Sequence, residues 1–431
     1  MRVLWVCNIM PPMVGQALGL ECSVKEGWIT GILEEMIERK EELSLGIAYP
    51  MAATERKEGF RVSLISERSG KRKSITCYEF AENPAAPEIY GGKELERRME
   101  EIIKDFRPQL LHLFGTEYGH SLAAARVFPH KEQILLGLQG IVTECALHYM
   151  AGLPEKIQRK RSLRDFLRQD SMKQQQEKFR LRGERENRII SLVGCITGRT
   201  EFDKNAAKKI NPGARYFPMN ETMRKEFYTG RWEPLSCRPY SIFFSQADYP
   251  LKGFHHLING AGLLVKKYPS LSVRVAGNRI TGYATLKEKI KISAYGDYLR
   301  KLIREKNLQD KIIFLGKLSA EEMKQEYLSC HCYVCASSIE NSPNSMAEAM
   351  LLGTPVVASR TGGIVSMTEE GRESLLFTPG NYRQLAACID KIWQEDTRTL
   401  TLSENARKRA HAAHNPQANY NRLMEIYEQM L

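Results

Sequence analysis

The chain has 431 residues, of which 42% are hydrophobic and 26% charged, and a formal net charge of +12 at pH 7. That length is too great for one ordinary core and points to two domains of about 200 residues each. The composition is ordinary for a soluble globular protein, and no apolar run reaches the roughly 18–20 residues of a membrane-spanning helix.

The opening run Met1–Asn8 turns polar too soon for a secretory leader and reads as a first buried strand over Val3–Asn8. With no export signal, the ten cysteines read as reduced thiols in a cytoplasm. Ile29, Ile32, Leu33, Met36 and Ile37 recur at helical spacing, so a helix with one buried stripe is expected over Gly27–Lys40. Strands follow at Leu43–Ala48, Leu110–Phe114, Ile134–Leu138 and Ile189–Ile196.

Between the last two lies a basic stretch, 155–188, with twelve Lys and Arg against six Asp and Glu. It holds half of the chain's excess charge and includes Arg159, Lys160, Arg161 and Arg164. The plain reading is a solvated helix face. An anionic membrane surface or an anionic acceptor comes next, since clustered cations favour both. Nucleic acid is not expected, because no interleaved aromatics or recognised module accompany the charge.

Residues 219–239, a mixture of Trp, Pro and charge, form the expected interdomain connection. Strands then read at Tyr240–Ser245, Leu271–Ala276, Lys311–Leu315, Cys332–Ser337, Pro355–Ser359 and Ser374–Phe377. Cys330, His331, Cys332 and Cys335 sit in or beside one of these apolar strands, without a second ligand pair at zinc-ribbon distance. They read as buried thiols. Continuous apolar strands alternating with helices imply parallel sheets covered on both faces, hence two doubly wound α/β domains. In such sheets ligands bind at the carboxyl ends of the strands.

The loop and helix after Ser337 carry the strongest motif. Ser342 is expected as the helix cap, Pro343 as its first residue, Gly353 as the left-handed residue past its end, and Pro355 as a block to continuation. The helix N-terminus around Asn344 and Ser345 offers amides and the positive end of a dipole, which suit a diphosphate. Glu340 lies before the helix and Glu348 within it, two carboxylates able to accept hydrogen bonds from vicinal hydroxyls.

Glu340, Glu348, Gly353, Pro355, Val356, Val357 and Ala358 match the hallmark of the retaining glycosyltransferases of family four, which the second half resembles. Lys252-Gly253, Val275-Ala276-Gly277, Phe314-Leu315-Gly316 and Thr361-Gly362-Gly363 follow the same pattern over about residues 240–390. The first half is similar to a polysaccharide-related branch at Gly27-Trp28, Leu111–Glu117, His120 and Gly198-Arg199-Thr200-x-x-Asp203.

The resemblance implies two doubly wound Rossmann-like domains facing a cleft, the type B fold. An acceptor-side domain would span 1–218 and a nucleotide-sugar domain 240–410, with a helix over 411–431 returning to the first. It implies a cytoplasmic enzyme, on the inner face of a membrane if the basic stretch meets lipid, that moves a sugar from a nucleoside-diphosphate sugar to a glycan, lipid-linked or small-molecule acceptor.

By the same resemblance Glu340 meets the donor sugar, Glu348 the ribose, and Lys252 the diphosphate, while His120 contacts sugar or phosphate. Gly253, Gly277, Asn278, Gly316 and Leu318 line the donor side with Asn344 and Ser345. Gly27 and Arg199 belong to the acceptor or phosphate loops. His112 reads as a core-facing strand residue.

Three departures stand out. Ser245-Gln246-Ala247-Asp248 supply no cation where the family has an Arg, Val365-Ser366 replace Pro-Glu, and Asn278 replaces a common Gly. No Asp-x-Asp pair occupies the matching place, so neither a metal nor another cofactor is expected. The other readings are an epimerase-like sugar-nucleotide enzyme on the same fold and a non-catalytic nucleotide-sugar-binding or membrane-associated protein.

Overall fold

The computed structural model describes residues 1–20, 27–39, 43–54, 56–282, 285 and 290–431. The chain divides into two compact units. The first comprises Met1–Thr143, Phe179–Arg224 and His414–Leu431, and the second Glu144–Lys178 and Lys225–Ala413.

In the first unit, one sheet contains β1 (Arg2–Val6), β2 (Ser44–Met51), β3 (Phe60–Ile65), β4 (Arg72–Ala81), β5 (Leu110–Phe114), β6 (Ile134–Gly137), β7 (Cys195–Gly198) and β8 (Arg215–Pro218). Their spatial order is β3-β4-β2-β1-β5-β6-β7-β8, and only the β3–β4 pair is antiparallel. The reason is visible in β1. Val3 and Trp5 enter one apolar cluster and Leu4 and Val6 another, so both faces of the sheet are covered.

Helices Gly27–Glu38 and Pro416–Met430 supply the first cluster, and Gly92–Phe106, Gly119–Val127 and the end of Met172–Leu192 the second. Tyr427 of the last helix fastens it to the sheet. Its hydroxyl accepts from Trp5 Nε1 at 2.9 Å and lies 2.6 Å from His112 Nδ1. Burial pushes the His112 pKa down to about 3, so a neutral ring faces the phenol.

The second unit is a six-stranded sheet of β9 (Arg238–Phe244), β10 (Ser272–Ala276), β11 (Ile312–Gly316), β12 (Cys330–Cys335), β13 (Val356–Ser359) and β14 (Leu375–Phe377). All neighbours are parallel, in the order β11-β10-β9-β12-β13-β14. The chain winds outward from β9 through β11, then returns beside β9 and winds the other way from β12. Ligands of such sheets bind where that order reverses, outside the carboxyl ends of β9 and β12. In the first unit the reversal lies between β1 and β5.

Two sequence expectations are corrected, and two features were not anticipated. The apolar run from Ile189 ends a helix, Met172–Leu192, and only Cys195–Gly198 is strand, because a short buried run has no period to tell helix from strand. The hairpin β3–β4 and strand β8 were not expected. Residues 144–178 belong to the second unit, not to a first domain over 1–218, since Asp165 and Lys160 are bonded to the helix Ala294–Glu305. Among the described residues no helix is long and apolar enough to cross a membrane.

Tyr427→Phe removes the partner of a buried indole N–H and of a buried imidazole. It should lower unfolding free energy by about 1–3 kcal/mol. Urea denaturation with an unchanged midpoint would show that neither bond stabilises the fold.

Candidate functional site

The site grows from the loop that leaves β9. After Phe244 the chain runs through Ser245–Tyr249 into a short turn, Pro250–Lys252, and then Gly253 opens the helix Phe254–Leu264. Gly253 has a left-handed backbone (φ 72°), and a β-carbon there would lie 1.9 Å from the carbonyl oxygen of Ala336. Glycine is therefore required by both conformation and space. That approach lets the loop after β9 rest on the chain leaving β12, where Ser338 N donates to Leu251 O at 2.8 Å.

With the two loops in contact, Lys252 Nζ reaches Glu340 Oε1 at 2.6 Å, and Ser337 Oγ donates to the same oxygen at 2.8 Å. Desolvation works against the Lys252 ammonium, but Glu340 outweighs it and holds the pKa well above the ordinary lysine value. Lys252 is thus a fixed cation. Its side chain is partly exposed, so the ammonium can still meet a ligand.

The backbone of Glu340 is held from the other side. Gly363 N donates to Glu340 O at 2.9 Å. Ser359 Oγ and Thr361 Oγ1 donate to the carbonyls of Ser337 and Ser338 at 2.6 and 3.0 Å. Gly362 is left-handed (φ 49°), and a β-carbon there would stand 2.0 Å from Glu340 O. The Thr361-Gly362-Gly363 turn therefore supports the glutamate loop through its backbone. It does so although Val365 and Ser366 follow it.

The next helix is Asn344–Leu352, closed by left-handed Gly353 (φ 77°). Pro343 occupies the capping position and no side chain caps the helix, which corrects the expected roles of Ser342 and Pro343. Ser342 Oγ is instead buried without a hydrogen-bond partner among the described residues. Ser345 accepts from Tyr333 OH at 2.7 Å, and Tyr333 is also 3.1 Å from Ser245 Oγ, so one buried phenol joins β12, the helix start and the loop after β9. Glu348 is 6% exposed and accepts from Tyr327 OH at 3.3 Å.

At the carboxyl ends of β10 and β11, Gly277 N donates to Gly316 O at 2.7 Å. Both glycines are left-handed (φ 95° and 80°). Asn278 is exposed and Leu318 half-buried beside them in sequence. Asp248 lies next to Gly277 and accepts from Gln246 Nε2 at 3.2 Å. The departure from the family pattern therefore brings a carboxylate to this edge in place of an arginine.

Beneath the Lys252–Gly253 turn, His255 and His256 are buried with ring centres 3.9 Å apart. A β-carbon on Gly152 would stand 2.2 Å from the His256 ring. The Tyr149 and Tyr249 rings are parallel at 6.4 Å, and Lys252 Nζ is 5.8 Å from the Tyr249 ring. Residues 144–178 thus brace the loop that carries Lys252. Burial pushes both histidines down, His256 to about 4, and the adjoining His256 ring adds to the effect of burial on His255.

In the first unit His120 is the second residue of the helix after β5, at that sheet's own reversal. It is fully buried. Its Nδ1 is 2.5 Å from Glu82 Oε2, its backbone N–H donates to Glu82 Oε1 at 3.1 Å, and Nε2 has no partner among the described residues. Burial raises the Glu82 pKa, but His120 more than offsets this and leaves it low. Gly27 opens the helix Gly27–Glu38.

Arg199 is tied to Glu221 at 2.6 Å and to the carbonyl of Gln139 at 3.1 Å. It lines a cavity of about 50 Å³, room for a few waters and not for a sugar. Its charge is therefore engaged within its own unit, which weighs against the expected phosphate or acceptor contact.

Sequence reasoning missed Tyr333, Ser337, Glu82 and the Gly152–His256 contact. Only Ser337, three residues before Glu340 at a strand end, had a local signal. Among the described residues no group of three metal-ligating side chains gathers. Cys330, Cys332 and Cys335 are buried thiols, their pKa values raised by burial, that of Cys335 to about 12.

With this geometry described, comparison with known proteins is informative. Residues 234–409 match the family model described as glycosyl transferases group 1. A D-inositol 3-phosphate glycosyltransferase of Corynebacterium urealyticum is 26% identical over 237 residues, 53% of each chain. An MMP alpha-(1->4)-mannosyltransferase of Mycolicibacterium hassiacum is 27% identical over 191 residues, 44% of this chain and 43% of that one. The chain thus spans about half the length of the curated relatives it matches.

The solved sucrose-phosphate synthase from Thermosynechococcus elongatus aligns over 100% of this chain and 98% of its own, with a TM-score of 0.68 at 15% identity. Anabaena HepE in complex with UDP-glucose aligns over 100% of both chains, with a TM-score of 0.64 at 16% identity. These two likenesses establish the fold, two Rossmann-like domains of the type B glycosyltransferase kind.

Gly253→Ala should cost about 2–5 kcal/mol, from the left-handed backbone plus the overlap with Ala336. Gly371→Ala, equally left-handed (φ 76°) but with open space around it, should cost only the backbone term of about 1–2 kcal/mol. Equal losses for the two variants in urea titrations would show that the loops do not need to touch.

A second expectation concerns acid. A histidine with a depressed pKa takes up its proton only on unfolding. Its contribution is complete above the unfolded value near 6.5 and is lost as pH falls toward the folded value. His256 alone should cost about 2 kcal/mol between pH 8 and pH 5. Stability of His256→Gln measured against pH should be flatter over that window, and a slope equal to the parent's would exclude the assignment.

Proposed function

On the premise that residues 234–409 belong to the glycosyl transferases of group 1, we propose that this protein transfers a sugar from a nucleoside-diphosphate sugar to a glycan, lipid-linked or small-molecule acceptor, with retention at the anomeric carbon. The observation that carries the proposal is the Lys252–Glu340 pair at the strand-order reversal, beside the N-terminus of the helix that bears Glu348. A relative with the same fold is solved with UDP-glucose, which supports a nucleotide-sugar donor.

In this reading the diphosphate lies against Lys252 and the first turn of the helix Asn344–Leu352, where the backbone dipole and amides favour negative charge. An ammonium has three protons, so Lys252 can keep its bond to Glu340 while the others reach phosphate oxygens. Glu340 Oε1 already receives Lys252 and Ser337, which leaves Oε2 for a hydroxyl of the donor sugar. Glu348 takes the ribose hydroxyls, and Tyr327 keeps it oriented. His120 is assigned to the same reaction by the resemblance, through Nε2. As the sugar–phosphate bond breaks, charge grows on the leaving phosphate, which Lys252 stabilises and which then accepts the acceptor's proton on the same face. No metal is required, because Lys252 and the helix end meet the charge.

Lys252→Ala should reduce kcat by about 100- to 1000-fold while weakening ground-state donor binding much less. Equal kcat at saturating donor would remove Lys252 from the reaction. Glu348→Ala should weaken nucleoside-diphosphate binding by about 1–3 kcal/mol in calorimetry. An unchanged dissociation constant would reject the ribose assignment. Turnover should persist in excess chelator, and complete loss restored by magnesium or manganese would overturn metal independence.

A further inference from the structure

The segment between residues 155 and 173 is held to the second unit by its polar residues. Ser162 and Asp165 form a capping box for the short helix Leu163–Arg168. The buried Asp165 carboxylate also accepts from Ala294 N at 2.9 Å, at the start of the helix Ala294–Glu305. Lys160 donates to Asp297 of that helix at 2.6 Å, and Arg164 pairs with Asp165 and Asp170 at 3.3 and 3.0 Å. Desolvation opposes the Asp297 charge, but Lys160, Arg300 and Lys301 hold its carboxyl down to about 2.

The apolar residues point the other way. Leu163, Phe166 and Leu167 are 57%, 61% and 70% exposed, and their spacing of three and four puts them on one face of the helix. A helix that buries its carboxylate and exposes a Phe and two Leu is inverted relative to an ordinary surface helix. In the same segment Lys156, Arg161, Arg168 and Lys173 are exposed and, among the described residues, have no ion pair. Arg159 pairs only with exposed Glu155. An apolar stripe in a segment whose exposed cations outnumber its one exposed acid, Glu155, has the chemistry of a surface that lies in a bilayer interface, with the rings and methyl groups below the headgroups and the arginine stems reaching anionic phosphates.

We propose that Leu163, Phe166 and Leu167, flanked by Lys156, Arg161 and Arg168, dock the protein on an anionic membrane. The proposal is independent of the transfer reaction and of the donor site.

The test is flotation of the full chain with phosphatidylcholine vesicles containing or lacking phosphatidylglycerol. Binding is expected only with the anionic lipid. Phe166→Ser with Leu167→Ser, and separately Lys156→Ser with Arg161→Ser and Arg168→Ser, should each lower partitioning at least tenfold with unchanged melting and unchanged nucleoside-diphosphate binding. Leu167→Trp should keep binding and gain fluorescence that brominated lipid quenches. Absence of binding by the parent, binding that survives both sets of substitutions, or fluorescence of the Leu167→Trp variant untouched by brominated lipid would each overturn the proposal. So would a dimer in light scattering that the Phe166 and Leu167 substitutions dissociate, since the stripe would then cover a second copy.

Discussion

The second unit depends on a close approach of two backbones. The carbonyl oxygen of Ala336 occupies the space a β-carbon of residue 253 would need, so the loops after β9 and β12 meet with no side chain between them. These strands are neighbours at the point where the winding of the sheet reverses, so the connections that follow them leave toward opposite faces and open a crevice at their carboxyl ends. The contact converts a topological property into chemistry. Lys252 and Glu340 are 88 residues apart, yet one stands immediately before the contact and the other four residues beyond it, and their charged atoms fall within 2.6 Å. The Gly362 turn repeats the device from β13, again with a glycine against a carbonyl. Two glycines therefore set the position of one glutamate.

The electrostatic consequence is specific. A buried lysine alone would lose its proton readily, because burial disfavours the charged form. Glu340 reverses that, so the ammonium is present before any ligand arrives. A preformed, fixed cation needs little reorganisation when negative charge develops beside it, which is where such a group is most effective. The same pairing has a cost. Part of the field of Lys252 is taken up by Glu340, and Asp248 adds a further carboxylate at the neighbouring strand ends. A diphosphate held here would rely more heavily on the amide end of the helix Asn344–Leu352 than it would beside two cations.

What could be read in advance follows the range of each signal. The helix ending at Gly353 was legible because its stop is local, a glycine in a left-handed position before Thr354 and Pro355. Its start was displaced by one residue. Serine before proline looks like a cap, yet Pro343 took the capping position and left the Ser342 hydroxyl buried. Glu340, Glu348 and Lys252 were legible as a pattern, but their bonding was not, since Ser337, Tyr333 and Tyr327 act through the fold. The Glu82–His120 pair spans 38 residues, and nothing near Glu82 marks it. The pairing of Arg199, expected in an acceptor or phosphate loop, was hidden for a similar reason, because its partner Glu221 lies beyond the next strand.

The basic stretch shows most clearly why counting charges misleads. By number, its lysines and arginines are interchangeable. In the structure five of them fall into two groups with different physical roles. Lys160 is bonded to Asp297 and so fastens residues 144–178 to the rest of the second unit, while Arg164 is bonded to Asp165 and Asp170 within the segment. Lys156, Arg161 and Arg168 remain in solvent, in the segment that carries the exposed Leu163, Phe166 and Leu167. Neutralising the first group would loosen the segment that also carries Tyr149 and Gly152, the residues packed against Tyr249 and His256 below Lys252. Neutralising the second would change only what the surface attracts. The fold has therefore separated bonded cations from solvent-exposed ones within a run of residues that composition alone presents as a single patch, and the buried Asp165 carboxylate ties the helix between them to Ala294.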